Sequence, residues 1–188
     1  GIVFFPPSPR YVAPDKAAEL VRAVPSTVTS VGLFVDASDD VIAETLETVS
    51  LDMLQLHGSE SPDRIHELGG KFGLKTMKAI KVESAADIGA VSEYADSADW
   101  LLFDAKAPKN MVSALPGGNA LAFDWYLLQD RSWKRPWMLS GGLNADNVSE
   151  AVSISGATAV DVSSGVEDRP GSKNPSLIGR FLDTIRSL

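Results

Sequence analysis

Short apolar runs recur along the chain with longer amphipathic stretches between them. The runs at 1–5, 31–35, 51–56, 75–82, 100–104, 136–140 and 158–163 are bounded by polar or glycine-rich residues and predict seven β-strands. Between them lie helix-start signals: Ser38 before Asp39 and Asp40, Ser61 before Pro62, Ser84 with Asp87 three residues on, Asn144, and Asn174 before Pro175. After the last of these, Leu177, Ile178, Phe181, Leu182, Ile185 and Leu188 follow the helical period, so one face of a terminal helix packs inward. Gly69 and Gly70 are expected to end the helix that Pro62 begins. A Pro/Gly/Lys-rich insertion, Ala107 to Ala120, interrupts the rhythm and reads as a mobile loop.

Strands alternating with helices predict an α/β fold with a parallel sheet. No linker or shift of composition divides the chain, so residues 1–188 read as a single domain. Seven parallel strands cannot close an eight-stranded barrel, and an open barrel leaves two unpaired edges. The chain opens on Gly1 directly in an apolar run, Gly1-Ile2-Val3-Phe4-Phe5. The expectation is therefore a (β/α)8 TIM barrel whose first β-strand and helix are missing ahead of Gly1; an open doubly wound sheet is the alternative. Two glycine-bearing loops weigh for the barrel, because they follow the sixth and seventh runs. With one strand added in front, these become the loops after strands seven and eight, where barrel enzymes commonly hold a phosphate.

Composition narrows the chemistry. The chain has no cysteine and two histidines, His57 and His66, which speaks against disulfides, thiolate metal sites and histidine-rich ones. A net charge of −8 without a Lys/Arg cluster disfavours nucleic acid. No apolar run is long enough to span a membrane and no leader is visible, so a cytoplasmic protein is expected. There is no dinucleotide fingerprint, P-loop or nucleophile elbow.

Ser140-Gly141-Gly142 and Ser163-Ser164-Gly165 each follow a strand, where backbone N–H groups and hydroxyls can surround an anion. Either alone fits an ordinary turn; the pair points to a phosphorylated small-molecule substrate. Asp104 ends the strand Trp100-Leu101-Leu102-Phe103, a position that suits a proton donor or, equally, a helix cap or a salt-bridge partner for Lys106 or Lys109. Asp161 lies inside the last strand and needs either the barrel mouth or a polar partner. Arg10, stiffened by Pro9, can grip a carboxylate with its guanidinium fork or sit solvated at the surface. Gln55 and His57 alternate along a strand end and so can enter one cavity, although a lone histidine also fits a core hydrogen bond.

In the order Pro7-Ser8-Pro9-Arg10-Tyr11, Leu54-Gln55-Leu56-His57-Gly58, Lys78-Ala79-Ile80, Leu102-Phe103-Asp104, Phe123-Asp124-Trp125, Ser140-Gly141-Gly142-Leu143 and Asp161-Val162-Ser163-Ser164-Gly165-Val166-Glu167, the chain resembles the phosphoribosylanthranilate isomerases. The resemblance implies an isomerase of tryptophan biosynthesis, a monomer or homodimer, needing no cofactor or metal. It implies Asp104 as general acid, Arg10 on the anthranilate carboxylate, and the two glycine loops on the phosphate. It also implies a cysteine general base in a segment before Gly1, without which these 188 residues are expected to be inactive. A departure from the family pattern is Ala120 in Gly117-Gly118-Asn119-Ala120, where a glycine is usual. Two alternatives stand beside this: a non-catalytic phosphate-sugar-binding barrel, or a related barrel enzyme such as indole-glycerol-phosphate synthase, for which Lys78 is the candidate lysine.

Overall fold

A computed structural model of the chain describes residues 1–106 and 121–188. The loop expected at 107–120, with Lys109 and Ala120, lies outside the described residues. Six strands form one parallel sheet in chain order: β1 (Ile2–Val3), β2 (Val31–Phe34), β3 (Met53–Leu56), β4 (Lys75–Val82), β5 (Trp100–Ala105) and β6 (Trp137–Leu139). Between them run α1 (Pro14–Arg22), α2 (Asp39–Thr48), α3 (Pro62–Phe72), α4 (Ala85–Gly89) and, after β6, α5 (Val148–Ser155). A spatial order equal to the chain order, with every neighbour parallel, is that of a barrel wall; a doubly wound sheet reverses direction midway. The fold is accordingly of the (β/α)8-barrel class. The seventh run, expected as a strand over 158–163, occupies the next place but pairs through one bridge, Val160 to Leu139. Leu139 N–H donates to the Ala159 carbonyl (3.0 Å) and Asp161 N–H to the Leu139 carbonyl (2.8 Å). Extended geometry then ends at Ser163 (φ −125°, ψ −78°).

The period-two alternation of each strand separates two cores. Met53, Met77, Ala79 and Leu102 form the inner cluster, with Ala79 beside Leu102 in register. On the outer face Phe34, Leu56, Val82 and Phe103 pack with Ile42, Ile65 and Leu68 from the helices. Each such side chain contributes about 1.5–3 kcal/mol by leaving water.

Helix starts follow the polar signals. Ser38 Oγ accepts from Val41 N–H (3.4 Å) and Ser61 Oγ from Arg64 N–H (3.2 Å), which satisfies donors that the first turn leaves unpaired. Two boundaries differ from expectation. Gly69 and Gly70 lie inside α3, which ends instead at Gly73, in left-handed geometry (φ 65°) with its N–H on the Gly69 carbonyl. Asn144 does not open α5 directly; its Oδ1 accepts from Asp146 N–H (2.8 Å) and Asn147 N–H (3.2 Å), closing a turn before the helix starts at Val148. After a short 3-10 turn, β7 (Glu167–Arg169) and β8 (Ser172–Lys173) form an antiparallel hairpin that sequence reading did not anticipate. It turns at Gly171 (φ 84°), where a Cβ would stand 2.3 Å from the Pro9 carbonyl oxygen. The hairpin thus lies against the loop that carries Arg10. The terminal helix α6 (Pro175–Arg186) follows, with Asn174 Oδ1 capping Ser176 and Leu177.

Candidate active site

All six strands point their carboxyl ends at one rim, so side chains at those ends meet there. A cavity of about 520 Å3 opens at this rim, within the range of small-molecule sites. Arg10, Gln55, His57, Asp104, Asp161 and the two serine-glycine corners line it, except for Gly165. Gly165 has a packing reason to be glycine, since a Cβ there would come 1.9 Å from the Leu143 carbonyl oxygen.

Asp104 stands on the inward side of β5, two residues beyond Leu102, and is 4% exposed. Its Oδ1 accepts from the Ala105 N–H (2.9 Å), and its Oδ2 lies 3.1 Å from His57 Nε2. His57 is held in turn by Gln55, whose Nε2 is 3.1 Å from Nδ1. An amide NH2 can only donate, so in this arrangement Nδ1 accepts and the imidazole N–H sits on Nε2, aimed at the carboxylate. The chain Gln55, His57, Asp104 is buried throughout and fixes the acid's orientation. Lys106, weighed as a partner for Asp104, instead meets Asp87 (3.2 Å) and Glu83 (3.5 Å). Lys78 is also elsewhere: its Nζ donates to Glu60 Oε2 (2.7 Å) and the Gly58 carbonyl (2.8 Å), away from the cavity lining.

The two serine-glycine corners face the same cavity. Gly141 (φ 90°) and Gly142 (φ 63°) adopt backbone angles that other residues take only with strain, and Gly141 backs onto Ala105 with a Cβ position 2.7 Å from its nitrogen. One corner therefore touches the strand end that carries Asp104. Ser140 Oγ donates to Asp161 Oδ2 (2.9 Å), which ties this corner to the seventh run. Asp161 is half-buried, its carboxyl packed against the strand ends while its residue opens onto the cavity. That burial raises its carboxyl above the usual range; the Ser140 hydrogen bond opposes the shift, the nearby Asp104 adds to it and His57 lowers it.

Arg10 is not solvated. Its Nε and Nη2 donate to Glu167 Oε1 (2.9 Å) and Oε2 (2.7 Å), and Lys173 Nζ meets the same Oε1 at 2.9 Å. Burial would raise the Glu167 carboxyl, but hydrogen bonds and charge from Arg10 and Lys173 outweigh it and hold the group below its usual range. Sequence reading missed Glu167 and Lys173 as cavity residues. Glu167 stood at the end of a recognised motif, but its partner is 157 residues away.

A wall of ordered parallel strands with a buried acid, a guanidinium and two glycine corners around one cavity defines the class: a barrel enzyme with a rim site. The family model for N-(5'-phosphoribosyl)anthranilate isomerase matches residues 1–184. The isomerase of that name from Rhodospirillum centenum is 58% identical over 188 residues, covering 100% of this chain and 87% of its own. That from Paramagnetospirillum magneticum is 55% identical, covering 99% and 86%. The crystal structure of the Thermotoga maritima phosphoribosylanthranilate isomerase superposes with a TM-score of 0.85 at 34% identity, covering 100% of this chain and 87% of that one. Another, of an isomerase in complex with reduced 1-(o-carboxyphenylamino)-1-deoxyribulose 5-phosphate, gives 0.82 at 32% identity over the same shares. The chain belongs to the N-(5'-phosphoribosyl)anthranilate isomerase family.

Proposed function

We propose that the protein isomerises N-(5'-phosphoribosyl)anthranilate to 1-(2-carboxyphenylamino)-1-deoxyribulose 5-phosphate. On this reading the phosphate lies between Ser140-Gly141-Gly142 and Ser163-Ser164, where backbone N–H groups and hydroxyls suit a dianion. Arg10, oriented by Glu167, takes the anthranilate carboxylate. Asp104, acting as the carboxylic acid, gives its proton to the ribose ring oxygen, the C1′–O bond opens, and the nitrogen lone pair forms the iminium. A general base takes the C2′ proton to give the enolamine, and protonation at C1′ with loss of the 2′-hydroxyl proton gives the ketone. Gln55 and His57 act on this step through Asp104, and Asp161 faces the sugar from the corner it shares with Ser140. The 188 residues act as one domain, as a monomer or homodimer in the cytoplasm; the Thermotoga maritima relative is described as dimeric, with monomers generated from it.

The observation that carries this reading is the burial of Asp104, oriented by His57, on the wall that both serine-glycine corners share. The test is loss of the fluorescence of N-(5'-phosphoribosyl)anthranilate on addition of enzyme. Asp104→Asn is expected to lower kcat by about 10²-fold or more; turnover within a few-fold of the parent would remove Asp104 from its role. The family model and the relatives support the isomerase activity and do not bear out the expectation of an inactive fragment. The same assay on the 188 residues decides whether a cysteine base is needed. A non-catalytic phosphate-sugar binder would bind the reduced analogue and give no turnover under any condition.

A further inference from the structure

The cavity has a charge problem. Its ligand carries a phosphate and a carboxylate, yet the charged carboxyl and basic side chains among the described lining residues are Asp104, Asp161 and Glu167 against Arg10 and Lys173. Glu167 is the carboxylate with no place in the chemistry above. Its side chain is 3% exposed, and it takes both basic residues at once. The side-on edge of the Arg10 guanidinium, Nε with Nη2, is closed on its two oxygens, which fixes the plane as well as the position of the group. Lys173 extends the chain of contacts. Its Nζ also donates to the Ser163 carbonyl (2.8 Å) and lies 3.3 Å from Ser163 Oγ, in the second serine-glycine corner. The hairpin makes this possible by placing Lys173 opposite Glu167 in register, while Gly171 seats the turn on the Pro9 carbonyl.

We propose that Glu167 and Lys173 are positioning residues. They form a brace from Arg10 to Ser163 that sets the distance between the carboxylate grip and the phosphate corner, and so selects ligands with both anions at that separation. The physical gain is preorganisation. A free arginine and a free lysine lose rotamer freedom when a ligand arrives, whereas braced ones have lost it already. The cost is a negative charge beside an anion site. This makes the idea sharply testable, because a pure counter-ion and a brace give opposite signs when the charge is removed. The inference rests on the phosphoribosylanthranilate reading above.

The test is titration calorimetry at fixed ionic strength on the parent protein, Glu167→Gln and Lys173→Met. The ligands are reduced 1-(o-carboxyphenylamino)-1-deoxyribulose 5-phosphate and its phenylamino counterpart without the ring carboxylate. Glu167→Gln is expected to weaken the carboxylated ligand about tenfold and the other by threefold or less, since disorder at Arg10 is felt through the carboxylate. Lys173→Met is expected to weaken both by a similar factor, about threefold, because it acts at the phosphate side. Tighter or unchanged binding in Glu167→Gln, or equal loss for both ligands, overturns the brace. If Glu167→Gln does not fold, an unchanged affinity in Lys173→Met overturns it equally. Failure of the parent protein to bind either ligand refutes the functional reading itself, a result distinct from each of these.

Discussion

Replacing Lys78 by methionine leaves the Glu60 carboxylate buried without its cation. In the native protein the side chains of Lys78 and Glu60 are 3% and 4% exposed. Glu60 accepts from Lys78 Nζ (2.7 Å), Asp36 N–H (2.9 Å) and Gly58 N–H (2.9 Å), so one carboxylate holds together the loops after β2, β3 and the body of β4. Methionine fits the volume, and what changes is charge. Removing one member of a buried pair costs about 3–5 kcal/mol, against about 0–1 kcal/mol for an exposed pair. For a chain of this length, about 2–4 °C per kcal/mol converts that to a fall in Tm of about 6–20 °C. Urea denaturation monitored by tryptophan fluorescence measures it. Adding Glu60→Gln should recover part of the loss, because glutamine still accepts from Asp36 and Gly58 and carries no charge to strand. Gly58 follows His57, so Lys78→Met is also expected to slow turnover through the His57 contact to Asp104. A loss below about 1 kcal/mol, or a double variant less stable than Lys78→Met by the full single-mutant cost, would mean that the Glu60 carboxylate does not depend on its cation.

Asp161 is perturbed in the opposite sense from a salt-bridged acid. Its folded carboxyl is raised by burial, so ionisation opposes folding: the native state is favoured below the unfolded pKa and loses that advantage as pH rises through the folded one. Asp161→Asn should therefore raise Tm more at pH 8 than at pH 4, followed by scanning calorimetry; a gain confined to the acid side would contradict this. Gly142→Ala places a Cβ at φ 63° and 2.7 Å from the Leu121 carbonyl carbon. The left-handed backbone alone costs about 1–2 kcal/mol, and the corner must shift, so chemical denaturation should show at least that loss together with weaker binding of the reduced analogue. Unchanged stability would mean that the corner is not held as described.

The barrel wall was readable because strand and helix periods leave clear traces. Met77 and Ala79 turn inward while Ile80 and Val82 turn outward, and the alternation of β4 states this directly. Caps at Ser38, Ser61 and Asn174 were equally plain, being local. Glycine was ambiguous: Gly69 lies within α3, where its Cβ position is 3.3 Å from the Thr76 methyl, whereas Gly73 ends the helix. Only tertiary contact separates these cases. The hairpin left no trace because Glu167, Asp168, Arg169, Ser172 and Lys173 have no apolar alternation. At the site, Asp104, His57 and Arg10 were visible as polar residues at strand ends. Their partners were not, since Glu167 reaches Arg10 across 157 residues and His57 reaches Asp104 across 47.

The most direct measurement is a crystal structure of the protein with reduced 1-(o-carboxyphenylamino)-1-deoxyribulose 5-phosphate. Expected is a phosphate whose oxygens take N–H groups from Gly141 or Gly142 and from Ser163 or Ser164, with the ring carboxylate at Arg10 and Asp104 within hydrogen-bond reach of the sugar. A phosphate bound away from both serine-glycine corners, or a sugar beyond reach of Asp104, would contradict the site as assigned.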